Sequence, residues 1–239
     1  DDTKDMKIYK NQIYVLGSKA VKTYSFAGKK MSTHKLPKVK NIIFDMGGVL
    51  IDFDPVRSVS NHFAPEDRDA VLANTFRSKE WALMDKGDLS VEEALNKMNS
   101  RLPERLHAEV RKMVIERETE MPPINEMYPV VKALKENGYK IYLLSNCPDW
   151  FDDFKKSVPA FAFIDGFIIS ARHNEIKPAE KIYRILFDEF SLIPEECFFI
   201  DDSQTNVDMA EYVGMKAHCF GDRDIERLKQ DMRNNNIVI

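Results

Sequence analysis

Three cysteines, Cys147, Cys197 and Cys219, are all that the 239-residue chain contains. An odd number without metal-type spacing argues against a disulfide framework or a thiolate metal site. Each lies in or beside an apolar stretch, where a thiol acts as a small buried hydrophobe. A reducing, cytoplasmic setting is therefore expected. Long apolar runs are missing too. None approaches the roughly 20 residues that span a bilayer, so no membrane partner is expected. Positive charge is not in excess: Lys+Arg number 35 against Asp+Glu 39, a net charge of -4. That balance offers no basic field for nucleic acid. The opening residues, DDTKD, lack the charged-then-apolar-then-small pattern of a secretory signal. They also lack an initiator Met, which reads as a processed or cut end. What remains is 44% apolar residues, enough to bury the core of one large domain or of a domain with an insert. A monomer or small homo-oligomer is expected.

From Ile42 onward, short apolar runs alternate with helical patterns. IIF (42–44), YKIYLLS (139–145), GFIIS (166–170), CFFI (197–200) and MKAHCF (215–220) read as strands. Most lack polar alternation, as strands covered on both faces do. Between them stand helical segments. VVKALKENG closes on Gly138, PAEKIYRILFDEF carries Pro178 in its first turn, and TNVDMAEYVG closes on another glycine. Strand–helix–strand repetition predicts an α/β fold with a parallel sheet.

Two regions break this rhythm. Residues 55–122 contain no convincing strand. PEDRDAVLANTF, SVEEALNKMNSRL and PERLHAEVRKMVIERE have helical periodicity, and Ser90 with Glu93 has the form of a capping box. An all-helical insert is predicted there. Within residues 1–36, KNQIYVLGSKAVKTYSFAGKK reads as two short strands with turns at GSKA and AGKK, a β-hairpin extension. The expected division is 1–36 for the extension, 37–54 with 123–239 for the core, and 55–122 for the insert.

In open α/β sheets, ligands bind outside the carboxyl ends of the strands. Asp45 follows the first strand, Ser145 and Asn146 end the second, and Asp201 and Asp202 end the fourth. Lys177 precedes the helix leading to the fourth. Singly, each has an ordinary explanation: a helix cap, a turn, a surface lysine. The adjacent acids Asp201 and Asp202 are harder to dismiss, because they repel unless a cation or donors intervene. Together the residues fit one task. Asp45 and Asp202 offer hard oxygen ligands suited to Mg²⁺. Lys177 balances the acids and can hold a phosphate. Ser145 and Asn146 can donate to its oxygens. Asp45 keeps an oxygen able to attack phosphorus.

These segments carry a family resemblance. FDMGGVL, LLSN, IKPAEKIY and FFIDDSQTNVDMA resemble, in order and rough spacing, the four motifs of the haloacid dehalogenase superfamily. The likeness runs from about residue 40 to the end. The helical insert resembles that superfamily's C1-type cap. The Asp-x-Gly form of the first motif, followed by Asp52-Phe53-Asp54, is most similar to the sugar-1-phosphate phosphatase branch. The resemblance implies a Rossmann-like core and a Mg²⁺-dependent phosphatase acting on a small phosphorylated metabolite. It implies that Asp45 is a nucleophile forming an aspartyl-phosphate. Mg²⁺ would be held by Asp45, the Gly47 carbonyl and Asp202, with Asp201 supporting through water. Ser145, Asn146 and Lys177 would bind phosphate, and Asn206 would orient Asp201 or Asp202.

Gly47 stands where most such phosphatases carry a second acid, the general acid–base. Three explanations stay open: a substrate with a good leaving group, a substitute acid at Asp52 or Asp54, or phosphonate- or halide-cleaving chemistry. Phosphonate cleavage would require a lysine in the insert, from among Lys79, Lys86, Lys97 and Lys112. A catalytically weak phosphate-binding or scaffold module is a further alternative. Trp81, Met84, Asp85 and Lys86 are the candidates in the insert for choosing the substrate. Trp81 either stacks on a sugar face or packs between helices.

Overall fold

In the computed structural model, residues 3–9, 12–17, 20–25, 30–35, 38–116 and 120–239 are described. The N-terminal segment forms four antiparallel strands, β1 (Thr3–Tyr9), β2 (Gln12–Gly17), β3 (Ala20–Ser25) and β4 (Lys30–Lys35), in sequential order. The two expected strands are β2 and β3. Their flanking neighbours TKDMKIY and KMSTHK are rich in polar residues and carry little apolar signal, so the hairpin grows to a four-stranded meander. Backbone hydrogen bonding across the ladder does not depend on apolar side chains.

The core sheet contains β5 (Asn41–Phe44), β6 (Lys140–Ser145), β7 (Gly166–Ile169), β8 (Cys197–Asp201) and β9 (Lys216–Cys219). The strands are all parallel, in the order β7-β6-β5-β8-β9. All five were legible as apolar runs, and the reason is visible in the packing. Ile42 and Phe44 point into one apolar layer, shared with α6 (Met127–Glu136) and α10 (Ile225–Asn234). Ile43 between them points into the other, formed with α8 (Glu180–Phe190) and α9 (Gln204–Tyr212). Neither face meets water, so neither needs polar residues. Helix α8 starts at Glu180, which leaves Pro178 ahead of its first turn rather than within it.

Between β5 and α6 the described residues form five helices: α1 (Pro55–His62), α2 (Pro65–Asn74), α3 (Lys79–Lys86), α4 (Val91–Asn99) and α5 (Glu104–Ile115). Local chemistry starts and stops them. Asp54 caps α1 by accepting from the Val56 and Arg57 amides, both at 3.0 Å. Ser78 caps α3, and Gly87 ends it in the left-handed region at φ 81. Ser90 and Glu93 form the expected capping box of α4. Val59, Val71, Met84, Leu95 and Val110 of this block belong to the same apolar cluster as Ile42 and Phe44. The helices pack chiefly on one another, α1 with α2 and α5 and α4 with α3 and α5, and α3 meets the core at residues 170–172. A short helix, α7 (Phe151–Phe154), follows β6. No helix among the described residues is long and apolar enough to cross a membrane.

Candidate active site

Strand β5 is the middle strand. The chain leaves it toward β6 and β7, then returns to its other side with β8. This reversal of direction opens a crevice at the carboxyl ends of β5 and β8. Phe44 lies in register with Ile200, and the Asp45 amide donates to the Ile200 carbonyl at 2.8 Å. Asp45 and the Asp201-Asp202 pair are thereby brought together. Carboxylate oxygens of all three fall within 4.8 Å of one another.

Lys177 joins them from the segment before α8. Its Nζ lies 2.7 Å from Asp45 Oδ1 and 2.7 Å from Asp201 Oδ2. The lysine is only 3% exposed, so it is a structural counter-charge and not a surface lysine. Burial works against its charge, but Asp201 and Asp45 outweigh that effect and hold the ammonium above its ordinary pKa. Asn146 fixes the lysine's backbone: its Oδ1 accepts from the Lys177 amide at 2.8 Å, and its Nδ2 donates to the Lys177 carbonyl at 3.0 Å. The expected phosphate donor is thus also a positioning group, with one Nδ2 hydrogen left for a ligand. Ser145 ends β6 and is almost fully buried.

Asp201 is saturated. Its Oδ1 accepts from the Ser203 amide and from Asn206 Nδ2, each at 2.9 Å, while Oδ2 holds Lys177. Asn206 therefore acts on Asp201 rather than on Asp202. Asp202 is exposed and lies against Gly48. A Cβ at Gly48 would come within 2.4 Å of Asp202 Oδ2, and the glycine's φ is +70. The missing side chain makes space for the acid. Asp45 and Asp202 remain as the open oxygen donors, a hard set that fits Mg²⁺. The charges call for a cation as well. Burial above all, then Asp201, pushes the Asp45 carboxyl up to about 7 despite the pull of Lys177. Burial and Asp201 also raise Asp202. A divalent cation would offset both effects and keep Asp45 ionised.

The crevice opens into a cavity of about 70 Å³ lined by Gly47, Phe53, Trp81, Asp85, Asn146 and Trp150, among others. Trp81 packs: its ring stacks on Phe53 at 6.2 Å, tilts against Phe76 at 4.5 Å and meets Trp150 edge-on at 6.0 Å. Of the four candidates in the insert, Trp81 and Asp85 reach the cavity. Met84 is buried in the apolar cluster, and Lys86 pairs with Asp88 at 3.3 Å.

Asp52 and Asp54 are not free to serve as substitute acids. Asp54 is committed to the cap of α1. Asp52 is clamped by Arg57 and by Arg223, whose Nη1 donates to Oδ1 at 2.7 Å. Burial opposes ionisation there, but the two guanidiniums prevail and hold the carboxyl below its ordinary range. Such a group is a poor proton donor. Phe53, Trp150 and Ser170 were missed in the sequence, having only the pattern of ordinary apolar or loop residues.

Residues 39–214 match the family of haloacid dehalogenase-like hydrolases. The chain belongs to that family. It is 26% identical to a sesquiterpene phosphatase of Aspergillus oryzae over 179 residues, covering 74% of this chain and 87% of that one. It is 24% identical to a D-ribitol-5-phosphate phosphatase of Bacteroides thetaiotaomicron over 193 residues, 75% of this chain and 90% of that one. Among solved structures, a HAD family enzyme from Bacteroides thetaiotaomicron, crystallised with magnesium and inorganic phosphate, superposes with a TM-score of 0.59 at 19% identity. The match covers 75% of this chain and 93% of that one. The α/β HAD fold expected from the four motifs is thus the fold observed.

Proposed function

We propose that this hydrolase is a Mg²⁺-dependent phosphatase of a small phosphorylated metabolite, a sugar phosphate in the first instance. The observation that carries the reading is the cluster itself: Asp45, Asp201 and Asp202 gathered around one buried ammonium, Lys177. Asp45 Oδ2 is the nucleophile, since Oδ1 is held by Lys177. Its attack on phosphorus forms an aspartyl-phosphate, which water then hydrolyses. Lys177 steadies the nucleophile and the phosphate. Asn146 offers its remaining hydrogen to a phosphate oxygen. Asp45, Asp202 and the Gly47 carbonyl would hold Mg²⁺, which would supply charge neutralisation at the transferring group. The relative named for ribitol phosphate and the fold neighbour crystallised with magnesium and phosphate support this reading. In the same proposal residues 55–122 are a cap, 37–54 with 123–239 the catalytic core, and 1–36 an accessory sheet. The setting is cytoplasmic, in keeping with three cysteines that form no disulfide.

Schiff-base phosphonate chemistry has little to stand on. Lys79, Lys97 and Lys112 are exposed, Lys86 is paired with Asp88, and none lines the cavity. One observation favours a second substrate class. The cavity wall is largely apolar, with Met46, Ile51, Phe53, Trp81, Met121 and Trp150, which suits a hydrocarbon leaving group better than a polyol.

Phosphate release from sugar, polyol, alkyl and prenyl phosphates, with and without Mg²⁺ and beside Asp45→Asn, tests both. Release requiring Mg²⁺ and Asp45 is the expected outcome, and the preferred compound separates the substrate classes. Turnover that survives Asp45→Asn would remove the nucleophile from the scheme.

A further inference from the structure

Nothing in the backbone compels glycine at position 47. Its φ is not in the left-handed region, and a Cβ there would meet only Phe53 at 3.6 Å, an ordinary contact. The usual acid is therefore absent from a place with room for it. Among the described residues lining the cavity, Asp85 alone carries a carboxyl. It comes from α3 and lines the same cavity as Gly47 and Asn146. Its carboxyl makes no hydrogen bond or ion pair among the described residues. The other acids are committed: Asp201 to Lys177, Ser203 and Asn206, Asp52 to two arginines, Asp54 to a helix cap.

The end of α3 that carries Asp85 is pinned to the core. The Ser170 hydroxyl donates to the Asp85 carbonyl in a short hydrogen bond and accepts from the Cys147 amide at 2.8 Å. One hydroxyl thus couples Asp85 to the loop that bears Asn146. Gly87 lets the turn after α3 lie directly on the Ala171 backbone, where a Cβ would fall 2.3 Å from the carbonyl oxygen. The charged groups that act on Asp85 are Asp45 and Lys177 of the core. On its own helix, Lys86 and Glu80 are occupied with Asp88 and Arg101.

We propose that Asp85 is the general acid and base of this site, supplied by the helical block in place of the acid missing at Gly47. The proposal rests on the phosphatase reading above. In the first half-reaction Asp45 Oδ2 bonds to phosphorus and the bond to the leaving oxygen breaks. The proton of the Asp85 carboxyl passes to that oxygen, giving a neutral alcohol and an Asp85 carboxylate. In the second, a water oxygen bonds to phosphorus and gives a proton to Asp85. The phosphorus–Asp45 bond breaks with its electron pair returning to Asp45, releasing phosphate and restoring the Asp45 carboxylate and the protonated Asp85. Burial, with the charge of Asp45, pushes Asp85 up to about 7 against the pull of Lys177, which suits a group that must both give and take a proton.

The test compares wild type, Asp45→Asn, Asp85→Asn and the double variant Asp85→Asn/Gly47→Asp on butyl phosphate and para-nitrophenyl phosphate at saturating Mg²⁺. Asp85→Asn should lose about 10²–10⁴ in kcat/KM on butyl phosphate. On para-nitrophenyl phosphate, whose phenolate leaves unprotonated, it should keep a rapid burst of nitrophenolate followed by slow turnover. The added Gly47→Asp should recover at least about tenfold on butyl phosphate, part of that acid–base factor. An equal loss on both substrates with no burst would overturn the proposal, and so would unchanged turnover of butyl phosphate. Wild type that releases phosphate from neither compound nor from any sugar, polyol or prenyl phosphate, or Asp45→Asn that retains activity, would instead fail the phosphatase reading, and Asp85 with it.

Discussion

Gly47 and Gly48 are neighbours with opposite demands. At Gly48 a Cβ would strike the Asp202 carboxylate at 2.4 Å from a φ of +70. Left-handed backbone costs a residue with a Cβ about 1–2 kcal/mol. Gly48→Ala should therefore lower stability by about that amount and, by displacing Asp202, weaken Mg²⁺ binding. Gly47→Ala meets only Phe53 at van der Waals distance, so its stability should stay within about 0.5 kcal/mol of wild type. Thermal unfolding of both, with and without Mg²⁺, checks the pair. A Gly48→Ala protein that keeps full metal stabilisation would show that Asp202 can move without loss. The sequence displays both glycines identically; only the packing tells them apart.

At the scale of elements, α3 matters most, because it alone carries the two insert residues that reach the cavity among those singled out. Its start is set by Ser78 and its end by Gly87, signals that are readable locally. Its docking is not. Gly87→Ala would force both the left-handed strain and the contact with Ala171. A stability loss of more than about 1 kcal/mol is expected. A fall in kcat should accompany it, because the turn after Asp85 is shifted. Circular dichroism melts and steady-state kinetics give the two readouts. A stability loss with kcat intact would mean that the end of α3 does not place a reacting group. The four-stranded N-terminal sheet teaches the converse. Strands β1 and β4 are polar enough to escape notice, yet the ladder pairs them with β2 and β3 all the same.

Over the whole molecule, the Asp52 clamp joins the segment leaving the core, through Arg57, to α1, and through Arg223 to the loop before α10. Asp52 and Arg223 are 171 positions apart in sequence. Because the folded state lowers the Asp52 pKa, the clamp stabilises above the ordinary carboxylate pKa of about 4. That contribution is lost as pH falls through the lowered value. Asp52→Asn should thus lose up to about 1 kcal/mol at neutral pH, with the difference from wild type fading in acid. Denaturant unfolding at several pH values reads this directly. A difference that persisted unchanged in acid would assign the effect to packing instead of charge.

The five core strands and the residues at their carboxyl ends are legible in the amino-acid order alone. A doubly covered parallel strand must be apolar throughout, and ligands bind beyond the carboxyl ends of such strands. The same order also located the helical insert and the capping box of α4, which depend on neighbours three or four positions away. Tertiary structure alone decided the rest. It decided that Asn206 serves Asp201, that Asn146 holds Lys177, that Asp52 is spent on Arg223, and that Asp85 faces the cavity. Asn146 meets Lys177 across 31 positions and Asp52 meets Arg223 across 171, while Asn206 lies only five from Asp201, where spacing alone does not choose between Asp201 and Asp202. Periodicity reveals which face of a helix is buried, but not what the opposite wall contributes.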